Sequence, residues 1–152
     1  MNTKMKAIVG AIFAMGVAGT AMAGEFGSAH DAFRDGFNNR DWDAVKSVMA
    51  EDMVFHRAGS ADVYIGRDAV VGRFEATIAG EWNVKFTKLD TTSEFEGKDG
   101  RVVERGDFAI TAGADSNACY IGSYLMTWAP ASDGWKMQVL TWQDLETALA
   151  NC

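Results

Sequence analysis

The chain has 152 residues, with 14 Lys and Arg against 21 Asp and Glu, a formal net charge of -7. That length suits one domain with one core, and the acidic balance disfavours nucleic acid and anionic membranes as partners. Two cysteines, Cys119 and Cys152, with no CxxC pair and no histidine at ligand spacing, speak against a zinc site.

Residues 1–23 read MNTKMKAIVGAIFAMGVAGTAMA. Lys4 and Lys6 precede an uncharged apolar run from Ala7 to Gly19, and Ala21-Met22-Ala23 is a small-x-small cleavage site. These are the parts of a secretory signal peptide. The run is shorter than the ~20 residues a membrane span needs, and no lipid-attachment cysteine follows it. The sequence therefore predicts an exported protein, periplasmic or secreted, with residues 24–152 as a single domain. Export permits a Cys119–Cys152 bridge; whether it forms depends on their separation, which leaves both states open.

The next segments read as helices. Ser28-Ala29-His30-Asp31 has the form of a capping box, and Ala29, Phe33 and Phe37 recur at spacing four. Asn38-Asn39-Arg40 breaks this helix. Asp41 can cap a second one with Trp42, Val45 and Met49 on one face. Met53-Val54-Phe55-His56 is a short strand, and Asp62-Val63-Tyr64-Ile65 a possible partner. Gly66-Arg67-Asp68 opens a third helix with the stripe Val70, Phe74, Ile78.

After residue 82 the period changes to two. Strands are predicted over 82–96, 101–112, 119–128 and 135–143, with Lys98-Asp99-Gly100 and Ala131-Ser132-Asp133-Gly134 as turns. Leu145, Ala148 and Leu149 suggest a closing helical turn. Helices followed by an antiparallel meander give an α+β layout, with helices packed on one face of a bent sheet.

The order of elements, with the stretches NNRDWDAVKSVMAEDMVFH, YIGRDAVVGRF and DGWKMQVLTW, resembles the nuclear transport factor 2-like superfamily. More narrowly it resembles the SnoaL-like and calcium/calmodulin-kinase association-domain-like branch. The resemblance spans about residues 26–144. It implies a cone-shaped curved antiparallel sheet wrapped by N-terminal helices, a cystatin-like α+β roll open at one end into an apolar pocket. It also implies a spread of activities, from isomerases, cyclases and dehydratases to binders without catalysis, and frequent pairing through the sheets.

Strand alternation places Val102, Glu104, Gly106, Phe108 and Ile110 on one, more apolar face. Glu104 is then a carboxylate among hydrophobes and a candidate general base, unless a bulge turns it outward or it reaches water or an arginine. Gly106 beside it would leave space for a ligand. In the last strand Trp135, Met137, Val139 and Thr141 read as interior. Leu140 and Trp142 read as exterior, where Tyr124, Met126 and Trp128 could join them in an apolar patch for dimerisation. The resemblance makes Thr141 a pocket position where related chains often carry a histidine.

His56 is the other candidate. Imidazole titrates in a range suited to acid–base work, and a His56–Glu104 pair would be a base with its orienting partner. The alternative is a strand-end histidine bonded to backbone. Arg57 or Tyr64 could polarise a carbonyl. His30, in a first helical turn, is expected at the surface. Phe33, Phe37, Trp42, Tyr64, Phe108, Trp135, Met137 and Thr141 make up the expected pocket lining.

There is no nucleophile elbow, Walker loop, dinucleotide fingerprint or H-E-x-x-H motif, so no cofactor or metal is expected. The reading that leads is an exported small-molecule-binding protein, taking a small apolar or aromatic ligand and forming a homodimer through the sheet. The alternatives are a cofactor-independent isomerase, cyclase or lyase using Glu104 or His56, and a dimeric interaction module.

Overall fold

The computed structural model describes residues 22–79, 83–113 and 118–149, with side chains over 26–79, 83–113 and 119–143. Residues 1–21, most of the expected signal peptide, and Cys152 lie outside the described residues. Helix α1 runs Met22–Asn39, so the Ser28 capping box falls inside it rather than at its start. The cause is a longer stripe. Phe26, His30, Phe33 and Phe37, spaced four, three and four, face the sheet, and Phe26 docks edge-on against Trp128 and Trp135 with ring centroids 5.4 and 6.0 Å away. Arg40 ends the helix in the left-handed region, at φ 62°, and its guanidinium donates to the Phe37 carbonyl. Asp41 caps α2 (Trp42–Ser47) as expected, its carboxylate accepting from the Ala44 N–H at 3.0 Å. Helix α3 (Arg67–Ala79) buries Val70 and Phe74.

The strands are β1 (Met49–Arg57), β2 (Val63–Ile65), β3 (Lys85–Glu96), β4 (Val102–Ala112), β5 (Ala118–Ala131) and β6 (Gly134–Leu149). They form one curved, unclosed sheet in the order β2-β1-β6-β5-β4-β3. The predicted meander is present, and β6 extends it by pairing parallel with β1. The closing helical turn is not. Leu149 pairs with Cys119 as part of β6, because β5 offers an open ladder along its length and pairing overrides local helix preference. Cys119 is disulfide-bonded.

One irregularity reverses the expected faces of β6 after Gln138, while Trp135 and Met137 are interior as expected. Thr127 pairs with Val139 but Trp128 with Met137, so Gln138 is an extra, unpaired residue. Such a bulge shifts the alternation by one. Trp135 and Met137 face inward before it, and Leu140 and Trp142 after it. Thr141 therefore points away from the core, and Tyr124, Met126 and Trp128 are buried rather than outward. The expected dimer patch of Leu140, Trp142, Tyr124, Met126 and Trp128 lies inside the protein.

The inner face carries a lattice of rings. Phe37 lies 4.8 Å from Phe86 and 5.5 Å from Phe74; Trp142 lies 5.2 to 5.7 Å from Phe55, Phe74, Phe86 and Phe108. Each buried ring of this kind contributes roughly 1.5–3 kcal/mol, with about 0.5–1.5 kcal/mol more for a well-oriented pair.

Candidate active site

Glu104 sits near the start of β4, on the inner face as the alternation predicts, with no exposed surface. A buried carboxylate needs donors, and four converge on it. Trp128 Nε1 donates to Oε2 at 2.9 Å. Tyr124 Oη and Thr91 Oγ1 each donate to Oε1 at 2.6 Å. His30 Nε2 lies 3.3 Å from Oε1 and 3.4 Å from Tyr124 Oη.

Two glycines make room for this cluster. A Cβ on Gly106 would fall 2.4 Å from the Tyr124 phenol and 2.2 Å from the Asp90 carbonyl oxygen. The space expected for a ligand beside Glu104 is thus filled by the Tyr124 ring, which leans from β5 across β4. Gly122 does the same for Phe108, its cross-strand partner. Each ring covers a glycine on the neighbouring strand.

The hydrogen-bond inventory assigns the His30 tautomer. The one phenol proton of Tyr124 is directed at Glu104, so its oxygen, like Oε1, can only accept from His30. Nε2 therefore carries a hydrogen, shared between two acceptors. Nδ1 is 3.9 Å from Asp31, beyond a hydrogen bond. Burial, then the bond to Glu104, push the Tyr124 pKa far above its ordinary 10, so the phenol stays a neutral donor.

Glu104 faces inward as the strand alternation predicts, but the structure does not bring it together with His56. His56 is half-buried at the end of β1, its Nε2 3.3 Å from the Ser60 carbonyl, which is the backbone-bonded alternative. It pairs with Thr141, which pairs with Leu125, which pairs with Arg105. The inner row beside it is Phe55, Leu140, Met126, Glu104. His56 is therefore on the opposite sheet face from Glu104 and three strands away, ~14 Å along the sheet, and the two do not share a cavity. His30 is 7% exposed, not a surface residue.

Tyr64 stacks on Phe55 at the far edge of the sheet, and Arg57 is exposed; neither adjoins Glu104. Of the expected lining, Phe33, Phe37, Phe108, Trp135 and Met137 are core, and Trp42 and Tyr64 are half-buried against it. Among the described residues no group of three or more His, Cys, Asp or Glu gathers as a metal site, and no helix is long and apolar enough to cross a membrane.

The sequence pattern of the SnoaL-like domain matches residues 30–124, a span that runs from His30 to Tyr124. The chain belongs to the SnoaL-like family. No protein with a curated description matches it. Solved structures share the fold of this SnoaL-like domain. A ketosteroid isomerase-like protein from Erwinia carotovora atroseptica is 14% identical, with 84% of this chain and 98% of that one covered at a TM-score of 0.70. A hexachlorocyclohexane dehydrochlorinase from Novosphingobium barchaimii is 17% identical, with 87% and 92% covered at 0.69. A nuclear transport factor 2-like protein with a cystatin-like fold from Novosphingobium aromaticivorans is 12% identical, with 84% of each covered at 0.67. At these identities the likeness is one of fold.

Proposed function

We propose that this SnoaL-like domain is a cofactor-independent acid–base catalyst of the isomerase or lyase class, acting on a small molecule with His30 as base and Glu104 as its positioning partner. The observation that carries this is the orientation of His30: Nε2 is turned to Glu104 and Tyr124, which leaves Nδ1 as the nitrogen that would act as base. A carboxylate that holds one imidazole nitrogen steadies the ring and the imidazolium that forms at the other. Nδ1 would take a proton from a substrate carbon. The electron pair left behind would move toward a neighbouring carbonyl or expel a leaving group. An isomerase returns the proton to the substrate; a lyase loses it to water. Burying a paired carboxylate and imidazole is costly, and a purely apolar seam would hold α1 to the sheet as well.

A second reading, ligand binding without turnover, draws on Ile110, Tyr120 and Trp142. These inner-face residues pack against the core yet stay half-buried, which suits a small apolar or aromatic ligand. We further propose that the protein is exported, on the strength of residues 1–23. Cleavage after Ala23 would leave Phe26 in place. Pairing of two copies would use the outer row Val54, Val139, Thr127 and Val103, half-buried in the monomer, with exposed Leu125 beside it.

Deuterium exchange tests the catalytic reading without a known substrate. In D2O, the wild-type protein is expected to catalyse exchange at the carbon next to the carbonyl in some member of a panel of small enolisable ketones, β-hydroxy ketones and β-haloketones, followed by proton NMR. His30→Gln should lower that rate at least ~100-fold, and His56→Gln should leave it unchanged. No exchange on any compound, or full exchange by His30→Gln, would remove the catalytic reading. Thermal shifts by the same compounds without exchange would favour binding alone.

A further inference from the structure

Two inward-facing indoles of the sheet differ in one respect. Trp128 Nε1 donates to Glu104. Trp142 Nε1 is buried, and among the described residues no acceptor lies within hydrogen-bond reach of it. An indole N–H can only donate, and burying it without an acceptor costs free energy, so such a group in a folded core asks for a reason. Its surroundings do not satisfy it. Phe55, Phe74, Phe86 and Phe108 stand 5.2 to 5.7 Å from the indole, ring to ring. A water molecule there would need about two to four polar partners, which four phenyl rings do not give. Yet the side chain as a whole is not sealed. Trp142, Ile110 and Tyr120 are inner-face residues that stay half-buried, and so does Ile78, one turn beyond Phe74 on α3. Tyr124, the partner of Trp142 on β5, leans the other way, over Gly106, and does not cover this side.

We propose that the Trp142 indole N–H is the polar anchor of a ligand chamber, and that the chamber takes a small molecule with an apolar or aromatic body and one neutral oxygen acceptor, such as a ketone. This rests on the reading that the half-buried inner face receives a small molecule. The rings pack against the body, and Nε1 fixes its orientation through the single bond it can donate. The charge of the acceptor follows by comparison with Glu104. That buried carboxylate is met by four donors, whereas the ring cage around Trp142 offers one. A carboxylate held there would be left under-satisfied, while a neutral carbonyl oxygen needs no more than one. Arg57, opposite Trp142 on β1, is exposed, where its charge keeps its water. The anchor stands one strand from Tyr124, whose phenol oxygen lies 3.4 Å from His30.

The test uses acetophenone and its hydrocarbon isostere α-methylstyrene, in which a CH2 group replaces the carbonyl oxygen, with 15N-labelled full-length protein. Sequential assignment picks the Trp142 indole signal out of the five, so this readout needs no variant. The signal is expected to move downfield as acetophenone saturates the protein, and not to do so with α-methylstyrene. The ratio of acetophenone to α-methylstyrene affinity is expected to fall at least about threefold in Trp142→Phe, which keeps an aromatic ring and removes the donor. An indole signal left in place by bound acetophenone would overturn the proposal. It would set the N–H against the face of Phe55 or Phe86, the rings that cross the indole at 77° and 83°. An unchanged affinity ratio in Trp142→Phe would overturn it as well. Binding of neither compound would overturn the chamber together with its anchor, whereas binding without an indole response overturns the anchor alone, so the two failures are seen apart.

Discussion

Glu104→Ala is expected to destabilise the domain by roughly 3–5 kcal/mol, because it strands several buried donors at once. The Trp128 indole N–H and the Tyr124 hydroxyl lose the acceptor they now reach at 2.9 and 2.6 Å, and His30 loses its carboxylate. None of the three can turn to water, since Trp128 and Tyr124 are sealed and His30 is 7% exposed. Glu104→Gln should cost less, about 1–2 kcal/mol, because its amide oxygen still accepts while its NH2 faces a donor. Urea unfolding of both variants measures the difference. A loss below about 1 kcal/mol for the alanine variant would mean that the cluster is not the buried network described.

Gly106→Ala is the second large effect. The added methyl would lie 2.2 Å from the Asp90 carbonyl oxygen, which is backbone, and 2.4 Å from the Tyr124 phenol. The strand cannot yield without breaking the β3–β4 ladder, and the ring cannot yield without leaving Glu104. A loss of about 3 kcal/mol or more is expected. Gly72 in α3 is the control. A Cβ there meets nothing within 4 Å, so Gly72→Ala should stabilise the helix by up to ~1 kcal/mol. Guanidinium unfolding of the two variants should give opposite signs. A neutral Gly106→Ala would contradict the placement of Tyr124 over β4.

Much of this was legible in the residues. The meander, its turns, the Asp41 cap and the inward face of β4 follow from period and turn chemistry, and they place Glu104 correctly. The partner of Glu104 was missed for two reasons that are physical. A helix begun at Ser28 takes Ala29 as its inward residue, whereas extending it to Phe26 puts His30 on the Phe33 and Phe37 stripe; that spacing was in the sequence. The bulge at Gln138 was not. It depends on how β6 fits the curvature between β5 and β1, and nothing local marks it. Missing it exchanged the two faces of β6 after Gln138, sent Trp142 outside, and brought Thr141 in.

Tyr124 and Trp128 were misplaced with them, though a clue existed. Gly106 and Gly122 alternate with Tyr124 and Phe108 on adjacent strands, a pattern in which a ring covers a glycine. Reading it would have turned β5 the right way. His56 drew notice as a histidine closing an apolar strand, but strand alternation puts it on the face opposite the buried Phe55, and its bond to Ser60 belongs to the turn that follows β1.

The chain has only two histidines, so one spectrum tests which of them belongs with Glu104. Long-range proton–nitrogen correlation resolves both imidazole rings and reports which nitrogen of each carries the hydrogen. The arrangement described predicts His30 with its hydrogen on Nε2, and ring signals that move in Glu104→Gln while those of His56 stay in place. Signals of His56 that move with Glu104→Gln, beside an unmoved His30, would contradict it.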